Sequence, residues 1–374
     1  MAQPLQAHRP AAALRAAHED RGLHARRHRA RGLPVVGYVG CDTPVELITA
    51  AGALPVRLAG RAGRDTSLAR TYLDGAVDPQ VVNVLAAILA PEDRDPAPDL
   101  IVVTHDCDAS LQLFHTLREL RRIGAETFPP VHFVDLLHLP GEPTRRYNLG
   151  RLRRFADQLA AWRGRALDAA ELAEAVADHD AARAARTALR RRAGALPGGE
   201  RLRRYAAGTA MPAREYADTL TAALAGDAAG DAAPAGRRLF LSGSSHDTAD
   251  VYDALEGDGW LVVGEDHDWG DGGDQPPVGE PTLEALADHY TRAVLPAAVR
   301  PPLGTAVRDA LADGGAQYVL TYCRRYDDAH RWVHPALAAA TAAPAALLRD
   351  QPYAGIDLPG LSDRLLSQEA RMTR

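Results

Sequence analysis

The chain has 374 residues and a formal net charge of −6, and its 46% hydrophobic and 25% charged residues are ordinary for a globular protein. Its cations are all arginine, and the mildly acidic balance without a basic stripe argues against nucleic-acid binding. No apolar stretch approaches 18 residues, which argues against a membrane span, and the Arg-rich start lacks the apolar centre of a secretory signal. Three cysteines are too few for a disulfide framework, so we expect a cytoplasmic protein with reduced thiols.

Residues 1–33 predict a polar, partly helical N-terminal extension with an arginine-rich solvated face. A strand, a turn and a helix follow: the apolar run 35–39 leads through Gly40 and Cys41 to a helix over 45–52. Thr43 is suited to cap this helix, Pro44 to its first position and Gly52 to its end.

A second unit repeats the design, with a strand at 100–103, a polar loop at 104–108 and a helix over 109–122. Another apolar run at 131–134 supplies a further strand. Alternation of strands and helices is typical of a parallel sheet, so we assign residues 34–147 to a first α/β domain.

Apolar residues spaced by three and four indicate a helical segment of two or three helices over residues 148–224. A Gly-, Ala- and Asp-rich stretch at 225–236 predicts a flexible linker. A second α/β domain is expected over 237–374. Its strands are predicted at 238–241, 259–263, 317–320 and 345–348, with a helix starting at Pro335. The fold class is therefore α/β, with two Rossmann-like (flavodoxin-like) parallel-sheet domains and a helical segment between them.

Each of the three cysteines follows a short apolar run that reads as a strand. Sites in α/β folds are built beyond the carboxyl ends of parallel strands, so Cys41, Cys107 and Cys323 are candidates for one converging thiolate site. Three thiolates can hold a [4Fe–4S] cluster and leave its fourth iron open. The alternative is that they are small buried residues at strand ends.

Two other residues are candidates for proton transfer. Glu46, in the first turn of its helix, is a candidate proton acceptor or simply an acid that answers the helix dipole. His105 is a candidate proton shuttle or a hydrogen-bonding loop residue.

Two polar loops of the second domain also stand out. The segment 242–245 is suited to cradle an anion or to make a tight turn. Asp266, His267 and Asp268 resemble metal ligands in composition, although aspartates in a Gly-rich loop are usually turn formers.

Five stretches then occur in an order that resembles a known family: 36–57, 100–108, 238–244, 259–266 and 325–335. Together they are similar to the 2-hydroxyacyl-CoA dehydratase and benzoyl-CoA reductase subunit family, over about residues 34 to 353. The resemblance implies paired α/β domains with one [4Fe–4S] cluster held by three cysteines at their junction. It also implies a heterodimer with a related second subunit, and an ATP-dependent iron–sulfur activator protein that supplies one electron. The implied reaction is the reductive radical elimination of water from a 2-hydroxyacyl-CoA thioester.

Two cysteines depart from the family's pattern. Cys41 stands one residue later than the family's first cysteine, so that Gly40 occupies the expected place, and Asp327 rather than Cys323 occupies the third place. Cys107 matches. We expect Cys41, Cys107 and Cys323 as the iron ligands, with Asp327 as an alternative ligand. Two other interpretations remain open: a cluster-poor paralogue that serves as partner or scaffold subunit, and a non-redox α/β ligand-binding protein.

Overall fold

The computed structural model describes residues 9–73, 75–90, 96–227, 234–292, 308, 311–312 and 314–372. Their strands form two separate four-stranded sheets in which every pairing is parallel. The strands are β1 (Val35–Val39), β2 (Leu54–Arg57), β3 (Leu100–Thr104), β4 (Val131–Val134), β5 (Arg237–Gly243), β6 (Trp260–Glu265), β7 (Tyr318–Arg324) and β8 (Ala345–Gln351). The prediction of an α/β fold with two Rossmann-like sheets is confirmed.

The α-helices of the described residues fall into four groups: two that precede the first strand, those that follow strands of the first sheet, a middle set, and those that follow strands of the second sheet. They are α1 (Arg9–Glu19), α2 (Leu23–Ala30), α3 (Val45–Ala50), α4 (Ser67–Tyr72), α5 (Pro79–Leu89), α6 (Asp108–Ile123), α7 (Glu142–Arg163), α8 (Ala169–Arg190), α9 (Gly198–Ala207), α10 (Ala213–Asp227), α11 (Asp250–Gly257), α12 (Leu283–Thr291), α13 (Ala329–Thr341) and α14 (Leu361–Met372). Every one of these helices is too short or too polar to cross a bilayer.

The two sheets share one topology. The strand order is β2-β1-β3-β4 in the first sheet and β6-β5-β7-β8 in the second. In each, the chain reverses its direction of travel across the sheet between the first strand and the third. The loops that leave these two neighbouring strands diverge to opposite faces, and the crevice between them is the usual binding position of such folds.

Both sheets are buried on their two faces, which explains their continuous apolar runs. In the first sheet Val36 and Val102 pack on one face with Leu47 and Phe155, whereas Ile101 packs on the other. In the second sheet Leu239 and Leu241 pack toward α11 and Phe240 and Val319 toward α13. This burial anchors the strand ends that carry the site.

The middle helices form their own core, which also takes in the N-terminal extension. Leu14 and Ala17 of α1 are fully buried against Tyr205, Tyr216 and Leu220 of α9 and α10. The structure has four helices, α7 to α10, where two or three were predicted. The first three residues of the predicted flexible linker, 225–227, belong to α10, and residues 228–233 of it lie outside the described residues.

The structure differs from the sequence-based expectations at four places. Strand β2 was not predicted. Helix α3 begins at Val45 with Pro44 at its N-cap, and the Thr43 hydroxyl donates to the Gly40 carbonyl instead of capping. Cys323 lies inside β7, not beyond it. Helix α13 begins at Ala329 and contains Pro335 in its interior.

Candidate functional site

The carboxyl ends of the two sheets line one cleft between the domains. The cleft holds a cavity of about 590 Å³. The first domain contributes the loops after β1, β2 and β3, and the second domain contributes the loops after β5, β6 and β7. The polar residues of its wall are Arg57, Asp78, Gln80, His105, Asp106, Cys107, Asp108, Ser110, Gln112, Ser245, Asp268, Arg324, Tyr326, Asp327, Asp328 and His330.

A glycine at the end of the first strand of each sheet lets the backbone turn into this cleft. Gly40 has φ +107°, and a β-carbon there would lie 1.8 Å from Thr104 Oγ1. Gly243 has φ +120°, and a β-carbon there would lie 2.1 Å from the Tyr322 carbonyl oxygen. Because both contacts are far inside van der Waals distance and L-residues avoid these φ values, neither position accepts a side chain on this backbone.

Two buried arginines, one from each domain, form ion pairs with aspartates of the other domain. Arg57 of β2 pairs with Asp268 after β6, and its guanidinium stacks on Trp269 with 4.1 Å between the carbon and the ring centroid. Arg324 of β7 donates to both carboxylate oxygens of Asp78, each at 2.8 Å. Bidentate geometry and burial make such pairs specific, so they fix how the two loop sets face each other.

Cys107 opens into the cleft. It is the N-cap residue of α6, and its Sγ lies 3.4 Å from Ser110 Oγ. Burial, reinforced by the charge of Asp106, raises the pKa of the Cys107 thiol well above its usual value. A metal that replaces the thiol proton would remove this penalty.

Cys41 lines a different and smaller cavity, of about 140 Å³, whose wall includes His179, Arg183 and Tyr290. Its backbone N–H donates to Asp106 Oδ2 at 3.0 Å. Burial, followed by the charges of Asp106 and Asp268, raises the pKa of the Cys41 thiol well above its usual value. The thiol is therefore protonated in the absence of a cation.

Cys323 contributes to neither cavity. It shares a face of β7 with Val319, which packs on Leu337 of α13, and with Thr321, whose hydroxyl lies 2.8 Å from His334 Nδ1 of that helix. Burial and the nearby Asp327 raise the pKa of Cys323 to about 12. The structure thus does not gather the three thiols into one cavity.

Asp327 does line the cleft, on the loop after β7. Its Oδ2 accepts from Ser244 Oγ at 2.6 Å and lies 3.4 Å from His330 Nε2. Burial opposes ionisation, but the hydrogen bond and charge of His330 outweigh it and hold the pKa of Asp327 at about 2. The residue before it, Tyr326, has φ +70°, a conformation that places it at the cleft wall at a cost in strain.

Glu46 is fully buried beside the smaller cavity. It forms an ion pair with Arg183, and its Oε2 accepts from Tyr290 Oη at 2.7 Å. Burial opposes ionisation, but Arg183 outweighs it, and the pKa of Glu46 is about 2. These contacts favour a fixed anion over a proton acceptor.

His105 lies on the cleft wall with its side chain 35% exposed, and its Nδ1 is 3.1 Å from Asp135 Oδ1. A carboxylate at Nδ1 orients the ring and leaves Nε2 available, as a proton-transfer residue requires. The geometry agrees with the role considered for it, which stays a prediction.

The serine hydroxyls of the segment 242–245 donate to aspartate carboxylates of the second domain, and not to a separate bound anion. Ser242 donates to Asp266 at 2.6 Å, and Ser245 donates to Asp268. His267 turns away into the core, where its Nε2 lies 2.6 Å from Tyr252 Oη. Asp266 therefore ties the loop after β6 to the end of β5, while Asp268 reaches the domain junction.

Among the described residues, one group of three side chains offers ligand atoms within 4.8 Å of one another: Cys41, Asp106 and Asp268. Sequence reasoning did not join them, because 227 positions separate the first from the last and nothing in the sequence places Asp268 opposite Cys41. It also missed Arg57 and Arg324, whose partners lie 211 and 246 positions away.

Most of the residues described above fall within a match to a known protein family. Residues 41–348 match the family described as 2-hydroxyglutaryl-CoA dehydratase, D-component. The chain belongs to this dehydratase family. A search of curated proteins found no match. The family consists of subunits of 2-hydroxyacyl-CoA dehydratase-type enzymes, which generally work with a partner subunit and an activator and usually bind iron–sulfur clusters.

The residues of the cleft do not fit a cluster held by three thiolates. The three places expected from the dehydratase family, Gly40, Cys107 and Asp327, all line the cleft cavity, but only Cys107 brings sulfur to it. Gly40 has no side chain to offer as a ligand, and Asp327 offers carboxylate oxygens in place of a thiolate. Thiolates are the usual iron ligands of such clusters, and the cleft supplies one.

Proposed function

We propose that this chain is the partner subunit of a 2-hydroxyacyl-CoA dehydratase-type heterodimer, in which it contributes a binding cleft and no three-thiolate cluster of its own. The observation that carries this proposal is the replacement of two of the three expected sulfur positions by Gly40 and Asp327. A subunit that only binds and positions tolerates such replacements, whereas a subunit that must seat the cluster does not.

A CoA thioester is the ligand class we assign to the cleft. Next to the cavity of about 590 Å³ lies another of about 700 Å³, and Arg57 and Leu58 line both. The second cavity has arginines at 21, 26, 61, 64 and 203 along its wall, together with five carboxylates. Guanidinium groups bind phosphates bidentately, and two neighbouring cavities that share Arg57 and Leu58 suit an elongated ligand with a phosphorylated end.

His105 is the residue we assign to proton transfer in this cleft. It lies beside Cys107 on the wall and is oriented by Asp135, which also accepts from Tyr147 Oη at 2.9 Å. Elimination of water from a 2-hydroxyacyl group requires that protons move at a carbon and at a leaving hydroxyl, and an oriented imidazole performs such transfers near neutral pH.

Binding of the CoA portion is tested with the isolated chain. CoA and 2-hydroxybutyryl-CoA are expected to bind and to raise the melting temperature, because a ligand that binds only the folded state stabilises it. Replacement of Arg61 and Arg64 by Ala is expected to weaken binding about tenfold or more, since charge-assisted phosphate contacts are lost. The Arg122→Ala variant is the control, because Arg122 lies on α6 and pairs with Glu119. Absence of CoA binding, or equal loss in the control, contradicts the ligand assignment.

The subunit role is tested by co-expression with a related chain that carries three cysteines at the family's positions. Dehydration of 2-hydroxybutyryl-CoA is expected only from the combined chains with an activator, and each chain alone is expected to be inactive. Activity of this chain without a partner would reject the partner role.

A second candidate is a subunit that carries its own [4Fe–4S] cluster and eliminates water reductively after one-electron activation by an ATP-dependent activator. Its supporting observation is that the Cys107 thiol opens into the cleft at the start of α6, where backbone N–H groups favour an anion. Iron and acid-labile sulfide content of the isolated, anaerobically prepared chain separates the two candidates.

A further inference from the structure

The group formed by Cys41, Asp106 and Asp268 joins three loops and both domains. Cys41 follows β1, Asp106 follows β3, and Asp268 follows β6, and their ligand atoms lie within 4.8 Å of one another. A hydrogen bond from the Cys41 backbone N–H to Asp106 Oδ2, at 3.0 Å, fixes the loop after β1 against the loop after β3. Side chains from distant parts of the chain thus converge on one point of the domain junction.

Asp106 provides an independent sign that a partner belongs at this point. The residue is 8% exposed, and its Oδ1 accepts no hydrogen bond from the described residues. A buried carboxylate oxygen without a donor costs free energy, and native structures rarely keep one unless an ion or another ligand satisfies it.

The charges point to a divalent cation. With the thiol deprotonated, the group carries three negative charges, and the adjacent Arg57, paired with Asp268, supplies one positive charge. Without a cation the Cys41 thiol is protonated, so that Asp106 and Asp268 against Arg57 leave one buried negative charge, and a cation that displaces the thiol proton meets a balance of two. An ion of charge +2 would neutralise the set.

We propose that Cys41, Asp106 and Asp268 ligate a single divalent transition-metal ion of the zinc class, where the cleft lined by Asp106 and Asp268 meets the smaller cavity lined by Cys41 and Asp268. One thiolate and two carboxylates are suited to such ions and poorly suited to Mg²⁺ or Ca²⁺, which prefer oxygen ligands alone. Three protein ligands leave a fourth position for water or for another ligand. The site stands independently of the partner-subunit role, because it rests on different residues.

The ion would hold the two domains in one orientation. Two of its ligands belong to the first sheet's loops and the third to the second sheet's, so that metal binding closes a link across the cleft. It would therefore stabilise the folded chain in proportion to metal concentration, because the separated loops of the unfolded chain cannot bind the ion in the same way.

The test is a titration of the metal-free chain with Co²⁺, followed by the absorption that thiolate ligation to cobalt produces. We expect one Co²⁺ per chain, the thiolate-to-cobalt band, and a higher melting temperature. Cys41→Ser is expected to abolish the band, and Asp106→Asn and Asp268→Asn to weaken binding about tenfold or more, the range seen even for the outer partners of metal ligands. Cys107→Ser and Cys323→Ser are matched controls that should leave the band and the stoichiometry unchanged.

Circular dichroism of each variant establishes that it is folded. Asp268→Asn also breaks the pair with Arg57, so the conclusion depends on Cys41→Ser and Asp106→Asn if that variant unfolds. Absence of stoichiometric Co²⁺ binding by the folded wild-type chain overturns the proposal. A band that disappears in Cys107→Ser and persists in Cys41→Ser overturns it as well. Failure here leaves CoA binding and partner dependence of activity unaffected, since neither measurement involves this metal.

Discussion

The carboxyl edges of the two sheets have the same backbone design and different chemistry. Each sheet has the same strand order, ends its first strand at a glycine with φ above +100°, and sends one buried arginine to an aspartate of the other domain. The first edge adds two thiols, Cys41 and Cys107. Both edges bring aspartates and a histidine to the cleft, Asp106 with His105 and Asp327 with His330, whereas among the described lining residues the thiols come only from the first edge.

The comparison shows which properties the fold determines. Sheet topology and the glycine turns decide where loop residues stand, and this geometry is alike in both halves. The side chains on those loops decide what the cleft can bind, and they differ between the two halves. A chain can therefore keep the architecture of a dehydratase subunit while two sulfur positions become Gly40 and Asp327.

Replacement of the two buried arginines that pair across the domains, Arg57 and Arg324, has the largest expected effect on the free energy of unfolding. Arg57→Ala removes the cation beside Asp268 and its stacking on Trp269, and should lower the free energy of unfolding by about 3–5 kcal/mol, as for other broken buried pairs. Arg324→Ala should cost less, about 1.5–3 kcal/mol, because Asp78 keeps more exposure and its bond to Gln80 N. Denaturant unfolding measures both, and a larger loss in Arg324→Ala would break the expected order.

The buried pair of Glu46 with Arg183 of α8 predicts a pH-dependent stability. The folded-state pKa of Glu46 is about 2 against an ordinary 4.5, so its contribution is complete above pH 4.5 and is lost as the pH falls toward 2. The difference corresponds to about 3 kcal/mol at about 1.36 kcal/mol per pH unit. Unfolding of wild type and Glu46→Gln should therefore converge in stability as the pH falls through this window. A constant difference between them would contradict the assigned ionisation.

Alanine at the two glycines compares the turns directly. Gly243→Ala meets a carbonyl oxygen of the backbone, whereas Gly40→Ala meets a side-chain hydroxyl that can rotate. We expect Gly243→Ala to cost more, with both losses in the range of about 1–3 kcal/mol for strained backbone positions. Thr104→Ala in the Gly40→Ala background should restore part of the loss, and a purely additive double variant would reject the contact as its cause.

The exposed ion pair between Arg145 and Asp288 should contribute least. Its side chains are 46% and 34% exposed, and such pairs contribute about 0–1 kcal/mol and weaken with salt. Arg145→Ala should therefore change the free energy of unfolding by less than about 1 kcal/mol, measured at low and high salt. A loss as large as that of Arg57→Ala would show that burial does not determine how much each ion pair contributes to stability.

The sequence predicted seven of the eight described strands because their apolar runs are long and bounded by polar loops. It missed β2, whose four residues include Pro55 and follow directly on α3. Proline is tolerated there because β2 is an edge strand. Cys323 was expected beyond a strand because Thr321 interrupts the apolar run, yet β7 continues through Tyr322, whose hydroxyl donates to two backbone carbonyls.

The site was predictable only in part. The loops after β1 and β3 were identified, and Cys107, His105 and Asp327 do line the cleft. Spacing along the chain could not reveal that Cys41 turns to a second cavity, since the direction of one side chain after a glycine turn depends on φ at Gly40. Nor could it pair Arg57 with Asp268, because that contact depends on how two domains pack.

The most direct test of the account is the iron and acid-labile sulfide content of the isolated chain after anaerobic reconstitution. The cleft offers one thiol where three are needed, so the account predicts far less than one cluster per chain, in wild type and Cys107→Ser alike. Four irons and four sulfides per chain, lost on replacement of Cys41, Cys107 or Cys323, would contradict it.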